Sequence, residues 1–293
     1  MNQPPFLKKG DTIYLLSTAR SVTSAQAQRF AQWLLDIGYR VIIGKSIGPS
    51  HHQFAGSDKL RGEDFCTALD HPDVKAIWCM RGGYGSVRML TYIDERKVRN
   101  ANTWLLGFSD VTILHGFFQR CGIASIHAPM GTLFDQTDER AFLCTIKRLE
   151  GESCAIPVLP HALTTLTTLK GRVVGGNLSM LYSMQGSPYM PKSMDNDILF
   201  LEEIDEYLYH IDRMMWALRN SNWIQSFSAW AVGGLTDMND HQLPFGWSAE
   251  EIIRQHADDL GVPIIFGVSS GHIRENYPIV LGAENEFCSE NKM

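Results

Sequence analysis

The feature that most constrains this chain is the alternation, through its first half, of apolar β-rich runs with segments of helical spacing. The expected strands cover residues 12–18, 39–46, 74–80, 102–109 and 124–130. The expected helices between them cover residues 24–38, 58–73, 86–94 and 110–122. Repeated β-α units favour the α/β class, in which helices cover a mostly parallel sheet. Ligands of such sheets bind beyond the carboxyl ends of the strands.

The second half of the chain has a different pattern. A stretch rich in Pro and Thr, residues 156–171, follows the helix expected at 138–151. Further strands are expected at 197–205 and 229–235, and residues 262–272 are expected to be a strand that runs into a loop. Further helices are expected at 207–224 and 248–261. We therefore expect an N-terminal domain over residues 1–140, a linker over 141–170 and a C-terminal domain over 171–293.

Charge and composition exclude several classes of protein. The chain has 26 Lys and Arg against 32 Asp and Glu, so the net charge is −6, and this argues against nucleic acid as a partner. No apolar run reaches the roughly 18–20 residues that a membrane span requires. The N-terminus lacks the apolar segment of a secretory signal. We expect a cytoplasmic protein that binds neither nucleic acid nor membrane.

The cysteines are scattered and form no Cys-x-x-Cys pair. They are Cys66, Cys79, Cys121, Cys144, Cys154 and Cys288. This usage is typical of free buried thiols in a reducing compartment. Without clustered Cys and His, a zinc site is not expected.

Two turns in the first half follow apolar strands and carry groups suited to catalysis. Residues 81–85 read Arg-Gly-Gly-Tyr-Gly, and adjacent glycines allow backbone N–H groups to bind an anion. Ser109 and Asp110 begin a helix after another strand, where a serine hydroxyl and the next N–H suit a nucleophile and an oxyanion donor. The alternatives without a catalytic role are an ordinary strand-to-helix turn at 81–85 and a helix N-cap at Ser109. Neither turn has the spacing of a dinucleotide-binding or ATP-binding loop.

Two further candidates lie in the second half. Glu202 and Glu203 close the run ILFLEE, and a carboxylate there is suited to orienting a histidine. His272 follows the last expected strand, and imidazole transfers protons near neutral pH. His127 is a reserve candidate. The chain order Ser, acid, His is sufficient for a nucleophile–base–orienter triad, although spacing alone does not show that the three meet.

Several blocks, in this order, resemble the LD-carboxypeptidases, a family of serine peptidases that includes the microcin C immunity peptidases. The blocks are LKKGDTIYLLS, HHQFAGSDKLRGEDF, HPDVKAIWCMRGGYGSVRML, LLGFSDVTILH, VVGGNLSMLYSMQGSPYMP, ILFLEEIDEYLYHIDRMM and FGVSSGH. Together they span nearly the whole chain. The resemblance implies a flavodoxin-like or Rossmann-like N-terminal domain and a β-rich α+β C-terminal domain with helices. It also implies an active site between the two domains and a homodimer.

The resemblance also implies a role for individual residues. Ser109 matches the nucleophile, His272 the general base and acid, and Glu202 the acid that orients the histidine. Glu203 is the weaker candidate for that acid. Gly83 and Asp110 are candidate backbone donors to the oxyanion.

Substrate contacts are expected from the loop that contains Gly83. The candidates are Arg81, Gly82 and Tyr84. Two features depart from the family pattern: Arg20 lies where the first strand commonly ends in Ala-Pro-Ser, and His210 stands where Arg is frequent. These departures bear on substrate specificity and leave the triad intact.

The implied reaction is metal-free acyl transfer without an organic cofactor, and its substrate is a small peptide. The leading expectation is release of terminal D-alanine from murein tetrapeptides in cell-wall peptide recycling. The alternative is cleavage of aminoacyl- or peptidyl-nucleotide amides, as in microcin immunity, which an aromatic platform would favour. Candidate rings for that platform are Trp216, Trp223, Trp230 and Trp247, although core packing explains most such residues. A third alternative is an inactive peptide-binding protein on the same fold.

Overall fold

The computed structural model describes residues 1–194 and 196–289. Its strands are β1 (Thr12–Leu16), β2 (Arg40–Ile43), β3 (Val74–Cys79), β4 (Trp104–Gly107), β5 (Ser125–His127), β6 (Ile156–Val158), β7 (Thr168–Asn177), β8 (Ile198–Ile204), β9 (Ala229–Thr236), β10 (Ile264–Ile265), β11 (Ile279–Leu281) and β12 (Glu284–Ser289). Its α-helices are α1 (Ser24–Asp36), α2 (Asp58–Asp70), α3 (Ser86–Met89), α4 (Glu95–Arg99), α5 (Thr112–Arg120), α6 (Glu139–Leu149), α7 (Leu178–Ser183), α8 (Leu208–Asn220) and α9 (Ala249–Leu260).

One large sheet runs through both halves of the chain in the order β10-β9-β8-β7-β11-β5-β4-β3-β1-β2. Neighbouring strands along this path are parallel, except that β11 is antiparallel to β5. Strand β12 pairs with β6 and β7 beside the main path. The α/β class with a large, mostly parallel sheet is confirmed.

Local sequence signals explain several helix boundaries. Thr23 caps α1 through a capping box with Gln26, and Ser248 caps α9 through a second box with Glu251. Helix α9 ends at Gly261, which has a left-handed φ of 65°. These caps are formed by residues a few positions apart in the sequence, so the sequence predicts the bounds of these helices to within a few residues.

The hydrophobic core connects the two halves of the chain. Its largest cluster includes Leu114 and Phe117 of α5 together with Leu178 and Leu181 of α7. A second cluster beside the first-half strands is aromatic, with Phe30, Trp78 and Phe142 fully buried. The helix that follows the Ser109 turn is therefore packed against the second half.

The structure differs from the sequence expectations in several elements. Only the first four residues of the helix expected at 86–94 form an α-helix, α3. A 3-10 turn at Leu90–Tyr92 and then α4 follow it. The strand expected at the start of residues 262–272 is only two residues long, β10, and a loop follows it as expected. Strands β6, β7, β11 and β12 were not predicted. Three of them are short or polar, and β7 contains three glycines, so their pairing depends on distant partners.

The predicted linker, 141–170, is structured. It contains most of α6, all of β6 and the start of β7, and Ile156 of β6 pairs with Phe287 of β12. The domain boundaries at residues 140 and 171 stay a prediction.

The expectation of free thiols throughout is wrong for two cysteines. Cys144 of α6 and Cys154 form a disulfide, because the chain turns back after α6 and brings together residues 10 apart in sequence. Cys66, Cys79, Cys121 and Cys288 are free, and Cys288 is exposed rather than buried. Within residues 1–194 and 196–289, no helix has the length and apolar character needed to cross a membrane.

Candidate active site

The turn after β4 places Ser109 in a rare backbone conformation. Its φ is 61°, in the left-handed region that few residues other than glycine adopt. Gly107 precedes the turn, and a Cβ there would lie only 3.0 Å from side-chain atoms of Val111. The chain therefore turns sharply at the end of the strand, as nucleophile turns do, and leaves Ser109 half-buried.

Asp110 connects this turn to the start of α3 and, through Ser86, to the segment after β1. Its buried carboxylate accepts a 2.8 Å hydrogen bond from the Ser86 N–H, and the Ser86 hydroxyl donates to Thr18 at 2.8 Å. Burial raises the pKa of the Asp110 carboxyl group, although the hydrogen bonds from Ser86 act against the rise. The carboxyl group thus has a structural task, so the predicted oxyanion role concerns only the backbone N–H.

His115 supports the same turn from α5. Burial lowers the pKa of His115 to about 3, so the ring is neutral near pH 7. Its Nε2 lies 2.9 Å from the carbonyl oxygen of Gly107, and its Nδ1 lies 2.8 Å from the Ser125 hydroxyl. This geometry fits a ring that donates from Nε2 and accepts at Nδ1. The sequence does not predict this role of His115, because the only local signal around it is the apolar spacing of α5.

Glu202 and His272 form the acid–base pair that the sequence predicts. Glu202 Oε2 lies 2.6 Å from His272 Nδ1, across 70 residues of chain. Gly271 makes the approach possible, because a Cβ there would lie 2.7 Å from the Glu202 Cβ. The His272 ring also packs against Phe108, at 4.7 Å between ring centroids, so it lies beside the residue before Ser109.

The glycine pair of β9 makes room for the loop that carries His272. The pairing of β8 with β9 shifts register between Leu201 and Glu203, where β9 reads Gly233-Gly234. A Cβ on Gly233 would lie 2.3 Å from the carbonyl oxygen of Ser270. In the sequence, this glycine pair indicates only a strand, and its role in admitting the His272 loop depends on the tertiary structure.

Each member of the pair favours the charged form of the other. Burial by itself would raise the pKa of Glu202, but the charge of His272 and the contacts with His127 and His272 hold it well below its ordinary value. Burial by itself would lower the pKa of His272, but the charge of Glu202 outweighs burial and the pKa lies above its ordinary value. The pair is therefore arranged to stabilise an imidazolium.

His127, the reserve candidate, lies on the other side of the Glu202 carboxylate. His127 Nε2 and Glu202 Oε1 are 3.9 Å apart, both side chains are fully buried, and neither atom has a hydrogen-bond partner in the described part of the chain. The ring packs between Phe108 and Phe200. The carboxylate of Glu202 thus lies between two imidazoles.

Glu203, the weaker acid candidate, has a different environment. Its carboxylate accepts hydrogen bonds from the Asn177 side chain at 2.8 Å and from the Ser179 N–H at 2.6 Å. Burial and then the neighbouring Glu202 charge raise the pKa of Glu203 to about 7. Glu203 therefore joins β8 to the start of α7 and does not contact His272.

The glycine loop at 81–85 lies against the nucleophile turn. A Cβ on Gly82 would lie 3.3 Å from the Ser109 Cβ. Gly83 has a φ of 104°, and its N–H makes no hydrogen bond to any described residue. Tyr84 is 47% exposed, whereas the Arg81 guanidinium donates to the Ser21 carbonyl at 3.2 Å.

The structure thus brings the predicted nucleophile, acid and base into one region. Within residues 1–194 and 196–289, the Ser109 hydroxyl makes no hydrogen bond. Its neighbour Phe108 contacts the His272 ring. Hydrogen bonds between a nucleophile and its base are often long before substrate binds. In the same residues, no group of three or more His, Cys, Asp or Glu side chains is placed to hold a metal ion.

Two models of one protein family match the chain. Residues 13–128 match the LD-carboxypeptidase N-terminal domain, and residues 170–287 match the LD-carboxypeptidase C-terminal domain. The chain is 29% identical to the murein tetrapeptide carboxypeptidase of Pseudomonas aeruginosa, over 90% of this chain and 89% of that protein. It is 24% identical to the microcin C7 self-immunity protein MccF of Escherichia coli, over 98% and 93% of the two chains.

A solved structure shows the same fold. The muramoyltetrapeptide carboxypeptidase of Oxalobacter formigenes superimposes with a TM-score of 0.86 at 24% identity, over 95% of each chain. Because the two domain matches together cover well over half of the sequence, they decide the assignment. The chain belongs to the LD-carboxypeptidase family.

Proposed function

We propose that this protein is a serine carboxypeptidase that releases terminal D-alanine from murein tetrapeptides. The observation that carries the proposal is the buried Glu202–His272 hydrogen bond of 2.6 Å beside the residue that precedes Ser109. An imidazole held in this way is oriented to accept a proton from a serine hydroxyl. The name of the Pseudomonas relative supports the murein substrate.

The proposed mechanism is acyl transfer through Ser109. His272 removes the proton of the Ser109 hydroxyl while the oxygen attacks the carbonyl between a diamino acid and D-alanine. The N–H groups of Gly83 and Asp110 stabilise the oxyanion, and one such donor contributes about 2.7–4 kcal/mol to transition-state stabilisation. His272 then protonates the leaving amine, and water hydrolyses the acyl-enzyme while Glu202 stabilises the imidazolium.

Release of D-alanine from L-Ala-D-Glu-meso-diaminopimelate-D-Ala tests the proposal directly. We expect release by the wild type with and without EDTA, and loss of release in Ser109→Ala. No release by folded wild type would refute the murein assignment. Release that persists in Ser109→Ala would show that another residue is the nucleophile, and binding without turnover would favour the inactive peptide-binding alternative.

The second candidate is cleavage of aminoacyl- or peptidyl-nucleotide amides. Of the candidate platform tryptophans, Trp230 is fully buried and Trp223 donates to the Pro191 carbonyl. Trp216 and Trp247 are partly exposed. A second exposed ring set favours this candidate: His241 stacks on Tyr207 and Tyr209, at 4.7 and 5.4 Å between centroids. These stacked rings follow β8 and β9. Turnover of an aminoacyl sulfamoyl adenosine, with none of the tetrapeptide, would establish this candidate instead.

We also infer a cytoplasmic homodimer that acts in peptide recycling. This inference rests on the resemblance to the LD-carboxypeptidase family. Sedimentation equilibrium of the purified chain would show a mass near 66 kDa for the dimer, twice the 33.0 kDa of one chain. A mass near that of one chain would contradict it.

A further inference from the structure

Arg20 lies on the glycine loop beside the nucleophile turn. It follows β1 at one of the positions where this chain departs from the family pattern. A Cβ added to Gly83 would lie 2.6 Å from Arg20 Cδ and 2.7 Å from Arg20 Nε. The Arg20 side chain therefore occupies the space that glycine leaves open beside a proposed oxyanion donor.

The guanidinium of Arg20 has no partner in residues 1–194 and 196–289. Arg20 is exposed, and within the described residues its hydrogen bonds are all made by its backbone. The neighbouring arginines are occupied: Arg61 and Arg88 bind Asp58, and Arg81 binds the Ser21 carbonyl. Arg20 is therefore a cation of this surface that has no side-chain partner among the described residues and is available to a ligand.

The backbone of Arg20 is held in place. Its N–H donates to the Gly82 carbonyl at 3.4 Å, and its carbonyl accepts from the Ser17 hydroxyl at 2.6 Å. Arg20 also forms a β-bridge with Phe54. A charged group on a fixed backbone loses less conformational entropy when it binds a ligand.

The spacing along the loop matches the spacing along a peptide. Gly82 faces Ser109, and the next residue, Gly83, faces Arg20. Consecutive Cα atoms are about 3.8 Å apart. In a substrate cleaved at its last peptide bond, the terminal carboxylate also lies one residue beyond the scissile carbonyl. Ser109 and the Arg20 side chain thus contact neighbouring residues of one loop, a separation that suits a carboxylate one residue beyond a carbonyl at Ser109.

We propose that Arg20 binds the C-terminal carboxylate of the peptide and so confines cleavage to the last bond. The inference rests on the proposed peptidase function. It assigns the carboxylate to Arg20 and not to Arg81, the cation among the candidate substrate contacts, because Arg81 donates to the Ser21 carbonyl. A guanidinium suits this task because its planar N–H groups bind both oxygens of a carboxylate. The acids near the nucleophile, Asp110 and Glu202, are both buried, and one oxygen of each is hydrogen-bonded, to Ser86 and to His272 respectively. Neither acid pairs with Arg20 among the described residues.

The test compares two tetrapeptides that differ only at the C-terminus, one ending in D-Ala carboxylate and the other in D-Ala carboxamide. KM and kcat are measured for wild type, Arg20→Gln, Arg20→Lys and the control Arg29→Gln. Arg29 is exposed on α1 and pairs with Asp135 at 2.7 Å, so its replacement removes one charge away from the loop. Circular dichroism and thermal unfolding confirm that each variant is folded.

For Arg20→Gln we expect KM for the carboxylate peptide to rise about 10- to 100-fold with little change in kcat, because one charge-assisted interaction is lost. For the carboxamide peptide, KM and kcat of Arg20→Gln stay near the wild-type values. Arg20→Lys gives an intermediate KM for the carboxylate peptide. Arg29→Gln leaves KM and kcat unchanged for both peptides. An equal loss of kcat on both peptides would overturn the inference, because Arg20 would then act on the oxyanion. Unchanged preference for the carboxylate peptide would overturn it as well.

A binding experiment separates failure of this inference from failure of the proposed function. The same peptides are titrated calorimetrically into Ser109→Ala and into Ser109→Ala with Arg20→Gln. If wild type releases no D-alanine, the proposed peptidase function fails, and the carboxylate preference of Ser109→Ala still decides the role of Arg20. Loss of that preference with Arg20→Gln supports the inference, and absence of any preference in Ser109→Ala overturns it.

Discussion

Glu202 is fully buried, and imidazoles flank both of its carboxylate oxygens. A buried carboxylate without partners would take up a proton, so His272 and His127 keep it ionised. The ionised carboxylate in turn raises the pKa of His272. Three residues from distant parts of the chain therefore set the protonation state of the proposed base.

The pH profile of kcat/KM tests this coupling. The base acts in its neutral form and its pKa is raised, so we expect activity to rise with pH and the acidic limb to have its midpoint above the ordinary histidine value of about 6.5. In Glu202→Gln, burial acts without the opposing charge, so the midpoint moves to lower pH. We also expect kcat to fall by about 10³- to 10⁴-fold. Identical midpoints in the two proteins would contradict the coupling.

His127 gives a second prediction at the scale of single residues. Replacing it with Leu removes the second imidazole beside Glu202, and we expect kcat/KM to fall about tenfold, the equivalent of roughly 1.4 kcal/mol. His127→Gln keeps an N–H donor near the position of Nε2 and should restore part of the loss. Steady-state kinetics and the position of the acidic limb measure the effect. If Leu and Gln behave alike, the role of His127 is packing between Phe108 and Phe200.

Glu203 belongs to the scale of elements, because it holds the junction of β7, α7 and β8. Asn177 caps α7 through its side chain, and Glu203 holds both Asn177 and the second residue of the helix. A signal for this junction is present in the sequence as Gly-Gly-Asn before an apolar helix. Which of the two adjacent glutamates faces the junction depends on the pairing of β8, and a local pattern does not contain that information.

The pH dependence of stability tests the position of Glu203. Its folded pKa of about 7 is above the ordinary value of 4.5, so folding takes up a proton between these values. This contribution to stability is therefore present at low pH and is lost as pH rises toward 7, by about 3 kcal/mol at most. Urea unfolding from pH 5 to pH 8 should show that Glu203→Gln gains stability relative to wild type as pH rises.

A matched control isolates this effect. Glu63 is exposed and lies 3.7 Å from Lys59 on α2, so Glu63→Gln should follow the wild-type curve at every pH. If Glu203→Gln also runs parallel to wild type, Glu203 is ionised over this whole range and the assignment of its environment is wrong.

At the scale of the whole molecule, β11 joins the two halves of the sheet. Ile279 pairs with His127 of β5, and Leu281 pairs with Val173 of β7. The largest core cluster also contains side chains from both halves. The nucleophile turn and the acid–base pair are therefore held by one sheet and a shared core.

We therefore expect the chain to unfold in one cooperative transition. Tryptophan fluorescence reports on Trp78 and Trp104 in the first half and on Trp230 in the second, while far-UV circular dichroism reports on all helices. The urea midpoints from the two methods should coincide. Two separated transitions would show that the halves behave as independent domains and that β11 contributes little to their association.

The sequence by itself determined the α/β class, most helices, and the identity and chain order of Ser109, Glu202 and His272 as candidates. These features come from periodicity, helix caps and strand ends, which act over a few residues. Only the tertiary structure decided that Glu202 faces His272 while Glu203 faces Asn177, that His127 reaches the same carboxylate, and that Cys144 is bonded to Cys154. It also decided that Arg81 donates to the Ser21 carbonyl, whereas the Arg20 guanidinium lies beside Gly83 without a hydrogen-bond partner among the described residues. The physical reason is that each of these facts depends on which surfaces the packed sheet brings together, and local patterns do not specify those pairings.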